Sequence, residues 1–215
     1  MSQEYLNVTI TGVGGLGNIL LTRLTGLALY QRYSQVMTAE ERGIAQRTGS
    51  VSAQIRAGRH IHTSSLYSNH TDYLLGLEPL EALRKLPLCR GGSVALLSDL
   101  QFPPGSLLGL GRTYPELNSI LTAFKSRCQV ELIPMRQLLA QLQLPDRFSS
   151  VVMFGVFCAS YGFAAGFAEK LLIDVVPPKV LQQNQYALNA GYQWLEQQVQ
   201  QRLLDQHPPA QLQLA

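Results

Sequence analysis

Apolar residues along this chain follow two rhythms. Short unbroken or alternating runs, the pattern of strands, occupy residues 6–11, 35–39, 50–57, 72–77, 93–98, 129–133 and 151–157. Helical spacing begins at residue 18 and runs to 33, carried by Ile19, Leu20, Leu24, Leu27 and Ala28. Further helices are predicted from Glu78-Pro79 to about residue 86, over 115–127, over 135–143 and over 178–206. The first of these has Pro at a first-turn position, where its missing N–H costs nothing. Residues 40–49 are polar and read as a loop. Residues 50–57 alternate and read as a strand with one wet face. A Gly58-Arg59 turn then predicts a hairpin return through His60-Ile61-His62. The Pro- and Gly-rich stretch 102–113 reads as a loop and 207–215 as a loose tail. Strands alternating with helices predict a single α/β domain, a mostly parallel sheet with helices on both faces. The expected domain spans residues 1–192, with the end of a C-terminal helix and a tail over 193–215.

Composition narrows the picture. A chain of 215 residues is long enough to bury roughly 70% of its unfolded surface, so it folds without a disulfide or a metal. Charged residues make up 14%, against about 25% in an ordinary soluble domain, which predicts a surface partly covered by another chain. The net charge is +3, and the 13 Arg and 4 Lys are scattered rather than striped, so no nucleic-acid partner is expected. Cys89, Cys128 and Cys158 lie far apart with no CxxC, which excludes a four-cysteine iron–sulfur cluster or cysteine zinc site within the chain and predicts buried thiols. The N-terminus lacks the basic and apolar regions of a signal peptide, so the expected location is cytoplasmic. The uncharged run between Arg147 and Glu169 contains Gly162-x-x-x-Gly166, but Ser149, Ser150, Ser160 and Tyr161 dilute it. It reads as a buried strand, a turn and a helix start rather than a membrane span.

Candidate chemistry sits mainly in two places. Gly12, Gly14 and Gly17 form GxGxxG between a strand and a helix, the context in which backbone approaches a phosphate and a helix N-terminus meets an anion. This is the opening of a Rossmann-like unit. Gly12, Gly14, Gly15, Gly17 and Asn18 are therefore the candidate cofactor-binding positions. The second place is Glu41, Arg42, Gln46, Arg47, Thr48 and Ser50, with Arg56 on the strand beyond. Its two arginines suit planar recognition of carboxylate or phosphate. Glu78 and Glu81 share one helix face, a pairing open to acid–base work or to ordinary capping. His60, His62 and His70 lie within one short region, and His60 and His62 share one strand face, but a third ligand for that pair is not evident and no metal is expected. No catalytic nucleophile–base pair is legible.

Taken in order, the strand-GVGGLGN turn, the ERGIAQRTGSV segment with Arg56, EPLEALR, Tyr114-Pro115, VVMFG, Pro178-Lys179 and Asn184-x-x-Ala187-x-x-x-Gly191 resemble a known family. The chain is similar to the gamma-type subunit of 2-oxoacid:ferredoxin oxidoreductases, and within it to the beta subunit of the indolepyruvate enzymes. The likeness covers about residues 7–192. It implies an oxidative decarboxylation of a 2-oxoacid, of the indolepyruvate or arylpyruvate class, with coenzyme A, giving acyl-CoA, carbon dioxide and reduced ferredoxin. It also implies that thiamine diphosphate (TPP), Mg and the 4Fe–4S clusters sit on a catalytic partner subunit. Ferredoxin is then a second partner, and a homodimer within a hetero-oligomer is the implied assembly. The Gly12 turn and the Arg42 to Ser50 loop would face the active-site cleft or a coenzyme A channel at the interface.

Two positions depart from the family pattern. Leu16 stands where the turn usually has Gln, and Thr48 where the loop usually has Gly. Both changes put contacts to a ligand or partner in question. Other readings of the residues are a stand-alone nicotinamide-nucleotide reductase using Glu40 on the ribose, an adenylate-forming activator, and a scaffold docking through its last helix.

Overall fold

The computed structural model describes residues 4–42, 49–103 and 113–206. Strand β1 (Tyr5–Val13) leads into helix α1 (Asn18–Tyr30), then β2 (Gln35–Arg42) and β3 (Ser50–Gly58). Next come β4 (Thr71–Gly76), α2 (Pro79–Lys85), β5 (Cys89–Ser98), α3 (Leu117–Lys125) and β6 (Gln129–Ile133). The chain closes with α4 (Met135–Gln141), α5 (Ser149–Tyr161), α6 (Ala165–Val175) and the long α7 (Pro178–Gln206). The strands form one sheet of order β2-β3-β1-β4-β5-β6. β1 pairs in parallel with β4, β4 with β5 and β5 with β6, whereas β3 runs antiparallel to both β1 and β2.

Helices cover both faces. Strand alternation sends Leu75 and Leu96 to one side, against α1, α4, α5, α6 and α7, and sends Leu74, Ala95 and Leu97 to the other, against Ala82 of α2 and Ile120 and Phe124 of α3. The first face holds the larger core. Its fully buried Phe154 and Phe157 are each worth about 2–3 kcal/mol of apolar burial.

Three sequence expectations are corrected by the structure. Residues 151–157 are not a strand but the middle of α5, buried on every side between sheet and α7. A helix packed all round is apolar all round, so its sequence loses the stripe that distinguishes helix from buried strand. The close approach is legible in two glycines. A Cβ on Gly155 would lie 2.2 Å from Leu188 O, and one on Gly191 would lie 2.0 Å from Val152 O. Ala187 is fully buried in the same crossing. The Asn184-x-x-Ala187-x-x-x-Gly191 spacing thus includes the small-residue stripe that lets α7 lie directly on α5.

The hairpin through His60-Ile61-His62 does not form. β3 ends at Gly58, and its partners are β1 on one side and β2 on the other. Ile61 N instead donates to Gln35 Oε1 at 2.8 Å, which holds the departing chain against the start of β2. β2 also continues to Arg42, three residues into the stretch expected to be loop.

Candidate functional site

β1 and β4 are adjacent and parallel, yet their chains leave to opposite faces, β1 into α1 and β4 into α2. Such a divergence opens a crevice beyond the carboxyl ends of the strands, the usual ligand position in an open α/β sheet. The glycine turn occupies one lip. Gly15 and Gly17 adopt φ of +102° and +87°. A Cβ at Gly17 would lie 2.3 Å from Ser150 Oγ, so this glycine is required by packing against α5 as well as by its backbone. Gly15 has nothing within 4 Å of a would-be Cβ, which leaves its backbone open to approach.

Asn18 braces the turn from beneath. It is 4% exposed, and Nδ2 donates to Val13 O at 2.9 Å, while Oδ1 is buried with no partner among the described residues. A Cβ at Gly12 would meet that Oδ1 at 2.9 Å and Leu77 at 3.0 Å, so Gly12 makes room for the brace. No side chain caps the N-terminus of α1, whose leading N–H groups are left for solvent or a ligand. Leu16 is 3% exposed and belongs to the core, with its carbonyl held by Ser149 Oγ at 3.2 Å. The departure at this position therefore alters the floor of the turn, not its exposed rim.

The arginine-bearing segment ends up beside this turn. Ser50 pairs with Val13, Val51 pairs with Arg42, and Gly14 N donates to Gly49 O at 3.0 Å. Gln46, Arg47 and Thr48 lie outside the described residues. Glu41 does not point a free carboxylate at the turn: its Oε2 accepts from Ser52 Oγ at 3.1 Å and from Lys85 Nζ at 3.2 Å. The Lys85 ammonium holds this carboxyl below its ordinary range. Arg56 is not part of the cluster. It sits six residues further along β3, about 20 Å from the turn, where Nε donates to Asn7 Oδ1 at 3.3 Å and a terminal nitrogen to Thr63 O at 3.1 Å.

The other lip is built around Glu78, which follows β4. Glu78 is fully buried. Its Oε2 accepts from Glu81 N at 2.7 Å, capping α2, and its Oε1 accepts from the Tyr114 hydroxyl and from Phe102 N at 3.4 Å. Burial pushes the Glu78 carboxyl above its usual range, against the pull of those donors. Glu81 is 2% exposed, with Oε1 on Arg84 at 2.7 Å and Oε2 without a partner among the described residues. Sequence reasoning saw the two glutamates and the helix start. It named Tyr114 only within a motif and missed Lys85 and Ser150, because their roles come from contacts 36 to 133 positions apart in the chain.

This arrangement differs from a dinucleotide site in one respect. The acid that would reach a ribose belongs at the end of the strand next to β1. Here antiparallel β3 separates β2 from β1. Glu40 and Glu41 thus start two strand spacings, roughly 10 Å, from β1.

The described residues contain no group of three His, Cys, Asp or Glu that could hold a metal ion. His70 Nδ1 lies 2.8 Å from Ser68 O, within its own turn. Cys89 and Cys128 pack together on one face of the sheet and Cys158 lies in the core on the other, an arrangement that cannot ligate a four-thiolate cluster. Among the described residues, no helix is long and apolar enough to cross a membrane.

Comparison with known proteins bears on what this crevice serves. Residues 7–194 match the family described as pyruvate ferredoxin/flavodoxin oxidoreductase. An indolepyruvate oxidoreductase subunit IorB from Methanothermobacter thermautotrophicus is 36% identical over 121 residues, 56% of this chain and 61% of that protein. The IorB subunit from Pyrococcus horikoshii is 28% identical over 193 residues, 88% of this chain and 95% of that one. Among solved structures, the gamma subunit of a keto/oxoacid ferredoxin oxidoreductase from Geobacter sulfurreducens has the same fold. Its TM-score is 0.60 at 20% identity, covering 89% of this chain and 99% of that one.

Proposed function

Because the chain belongs to the pyruvate ferredoxin/flavodoxin oxidoreductase family, we propose that it is the gamma-type subunit of a 2-oxoacid:ferredoxin oxidoreductase acting on indolepyruvate or a related arylpyruvate. The observation that carries this reading is the collinear likeness to the Pyrococcus IorB subunit over 88% of this chain and 95% of that protein. The complex would decarboxylate the oxoacid oxidatively, pass acyl to coenzyme A and electrons to ferredoxin, in the cytoplasm.

TPP, Mg and 4Fe–4S clusters belong, in this reading, to a partner subunit, because the donors of this chain do not fit a cluster. Two copies of the chain would sit in a hetero-oligomer whose interfaces cover the charge-poor surface. This subunit would contribute the crevice between β1 and β4. Gly12, Gly14, Gly15, Gly17 and Asn18 shape one lip, and Arg42 ends β2 on the far side of β3 from it. With Gln46, Arg47, Thr48 and Ser50 they would meet coenzyme A or the partner. No group of this chain is assigned as general acid or base.

The test is native copurification of the tagged chain from its own cell. The expected eluate is brown and contains a large TPP-type partner. It reduces viologen when both indolepyruvate and coenzyme A are supplied, and swapping oxoacids then ranks substrates. A colourless, partnerless chain that binds NADH would overturn the proposal in favour of a nicotinamide-nucleotide reductase.

A further inference from the structure

A second cavity lies beside Gly17 of the glycine turn, among the start of α1, the residues leading into α5 and the junction of α6 and α7. Its volume is about 310 Å³, at the small end of the range for ligand sites, about 300–1,000 Å³. The walls are apolar: Leu20 of α1, Phe148, and Val176 and Val180 at the junction of α6 and α7. Three polar features interrupt them. Gly17, the uncapped start of α1, lines the cavity and brings the positive end of a thirteen-residue helix to it. Arg147 lines it too, with its guanidinium carbon 5.4 Å from the Phe148 ring centroid and no carboxylate partner among the described residues. Asn184 is the third. It is 5% exposed, its Nδ2 is committed to Val180 O at 2.7 Å, and its Oδ1 receives no hydrogen bond among the described residues.

A side-chain amide whose acceptor carries no protein hydrogen bond and stays open to the cavity suits a ligand donor. An arginine without a carboxylate partner, on a cavity that a helix N-terminus also lines, suits an anion. Apolar walls between them ask for a flat or branched hydrocarbon body. We propose that this cavity binds a small amphipathic carboxylate, with its carboxylate toward Arg147 and the start of α1, its apolar body against Leu20, Phe148 and Val180, and an N–H or O–H donor on Asn184 Oδ1. The site shares Gly17 and the start of α1 with the glycine-turn lip, while its other lining residues are not among those of the crevice, and the proposal does not rest on the oxidoreductase reading.

The full-length chain alone serves for the test, with no partner subunit and no turnover. Indole-3-acetate is the probe, since it carries a carboxylate, an aromatic body and one N–H. Binding is followed by methyl and amide NMR shifts. Saturable shifts confined to Leu20, Val175, Val176 and Val180 are expected. Indole-3-acetamide, which lacks the charge, binds about tenfold more weakly, and 1-naphthaleneacetate, which lacks the N–H, several-fold more weakly. Arg147 is exposed, so Arg147→Gln keeps the fold. It weakens indole-3-acetate about tenfold while leaving the acetamide unchanged. Val180→Phe, which fills the cavity, removes binding of all three, with circular dichroism confirming a folded chain. Shifts that do not saturate, shifts mapped to another surface, or equal affinity for acid and amide overturn the proposal. None of these outcomes touches copurification with a TPP-type partner, so each proposal can fail without the other.

Discussion

Glycine does opposite work at the α5–α7 crossing and at the turn after β1. At the crossing, Gly155 and Gly191 are closed positions. A methyl on either would strike backbone carbonyls of the facing helix at 2.2 and 2.0 Å. At the turn, Gly15 is an open position with a left-handed backbone and empty space where a side chain would point. Gly17 stands between these cases, left-handed and also pressed against Ser150. The sequence spells all four with the same letter. Glycine that is closed off serves stability, and glycine that is open serves whatever approaches it.

The largest effect should come from the crossing. Gly155→Ala or Gly191→Ala forces two packed helices apart and should cost about 3 kcal/mol or more in urea unfolding. A loss below about 1 kcal/mol would mean the helices slide freely, and the contrast with the turn would collapse. Gly17→Ala follows at about 2 kcal/mol, from its positive φ and the Ser150 contact. Adding Ser150→Gly should return part of this, as a double-mutant cycle would show, but not the backbone share.

Carboxylates at the crevice give the next step down. Tyr114→Phe removes a donor from the buried Glu78 carboxylate and should cost about 1–2 kcal/mol near neutral pH. Burial raises the folded-state pKa of Glu78. Its own contribution is therefore fully present below the unfolded value and is lost as pH rises through the raised one. The penalty of Tyr114→Phe should accordingly shrink as pH falls and Glu78 takes up its proton. An acid-independent penalty, seen in melts from neutral to mildly acid pH, would show that the ring and not the hydrogen bond matters.

Gly15→Ala should cost only about 1 kcal/mol, all of it backbone strain. If the backbone there meets a ligand, viologen reduction by the assembled complex should fall further than stability does. Equal activity would make this an ordinary surface turn. Smallest is Glu41→Gln, which loses a largely exposed pair with Lys85 and should cost under about 1 kcal/mol near pH 7. The sign is opposite to that of Glu78. The folded pKa of Glu41 is depressed, so its contribution is present above the unfolded value and lost as pH falls through the lowered one. Wild type and variant should converge in parallel urea titrations as pH falls below the ordinary carboxylate range and Glu41 takes up its proton.

The sequence by itself determined the local elements and their order. Strand, glycine turn and helix at residues 6–33 were legible because period and punctuation are properties of neighbouring residues. Glu78-Pro79 announced α2 for the same reason, with the Glu78 side chain accepting from Glu81 N as a cap should. The motifs at Gly12 and Arg42 were visible, but their meeting was not. Only the insertion of antiparallel β3 between β1 and β2 brings Gly49 to Gly14, carries Arg56 to the far end of the sheet and keeps Glu41 from the turn. Tertiary structure also decided that residues 151–157 are helix, since burial on all sides erased the pattern that would have said so. It decided that Leu16 faces the core, that Tyr114 completes the lip at Glu78, and that Lys85 pairs with Glu41. Periodicity reports which face of an element is wet. Which other element dries the opposite face depends on contacts far apart in the chain, and those are fixed only when the whole sheet and its helices pack at once.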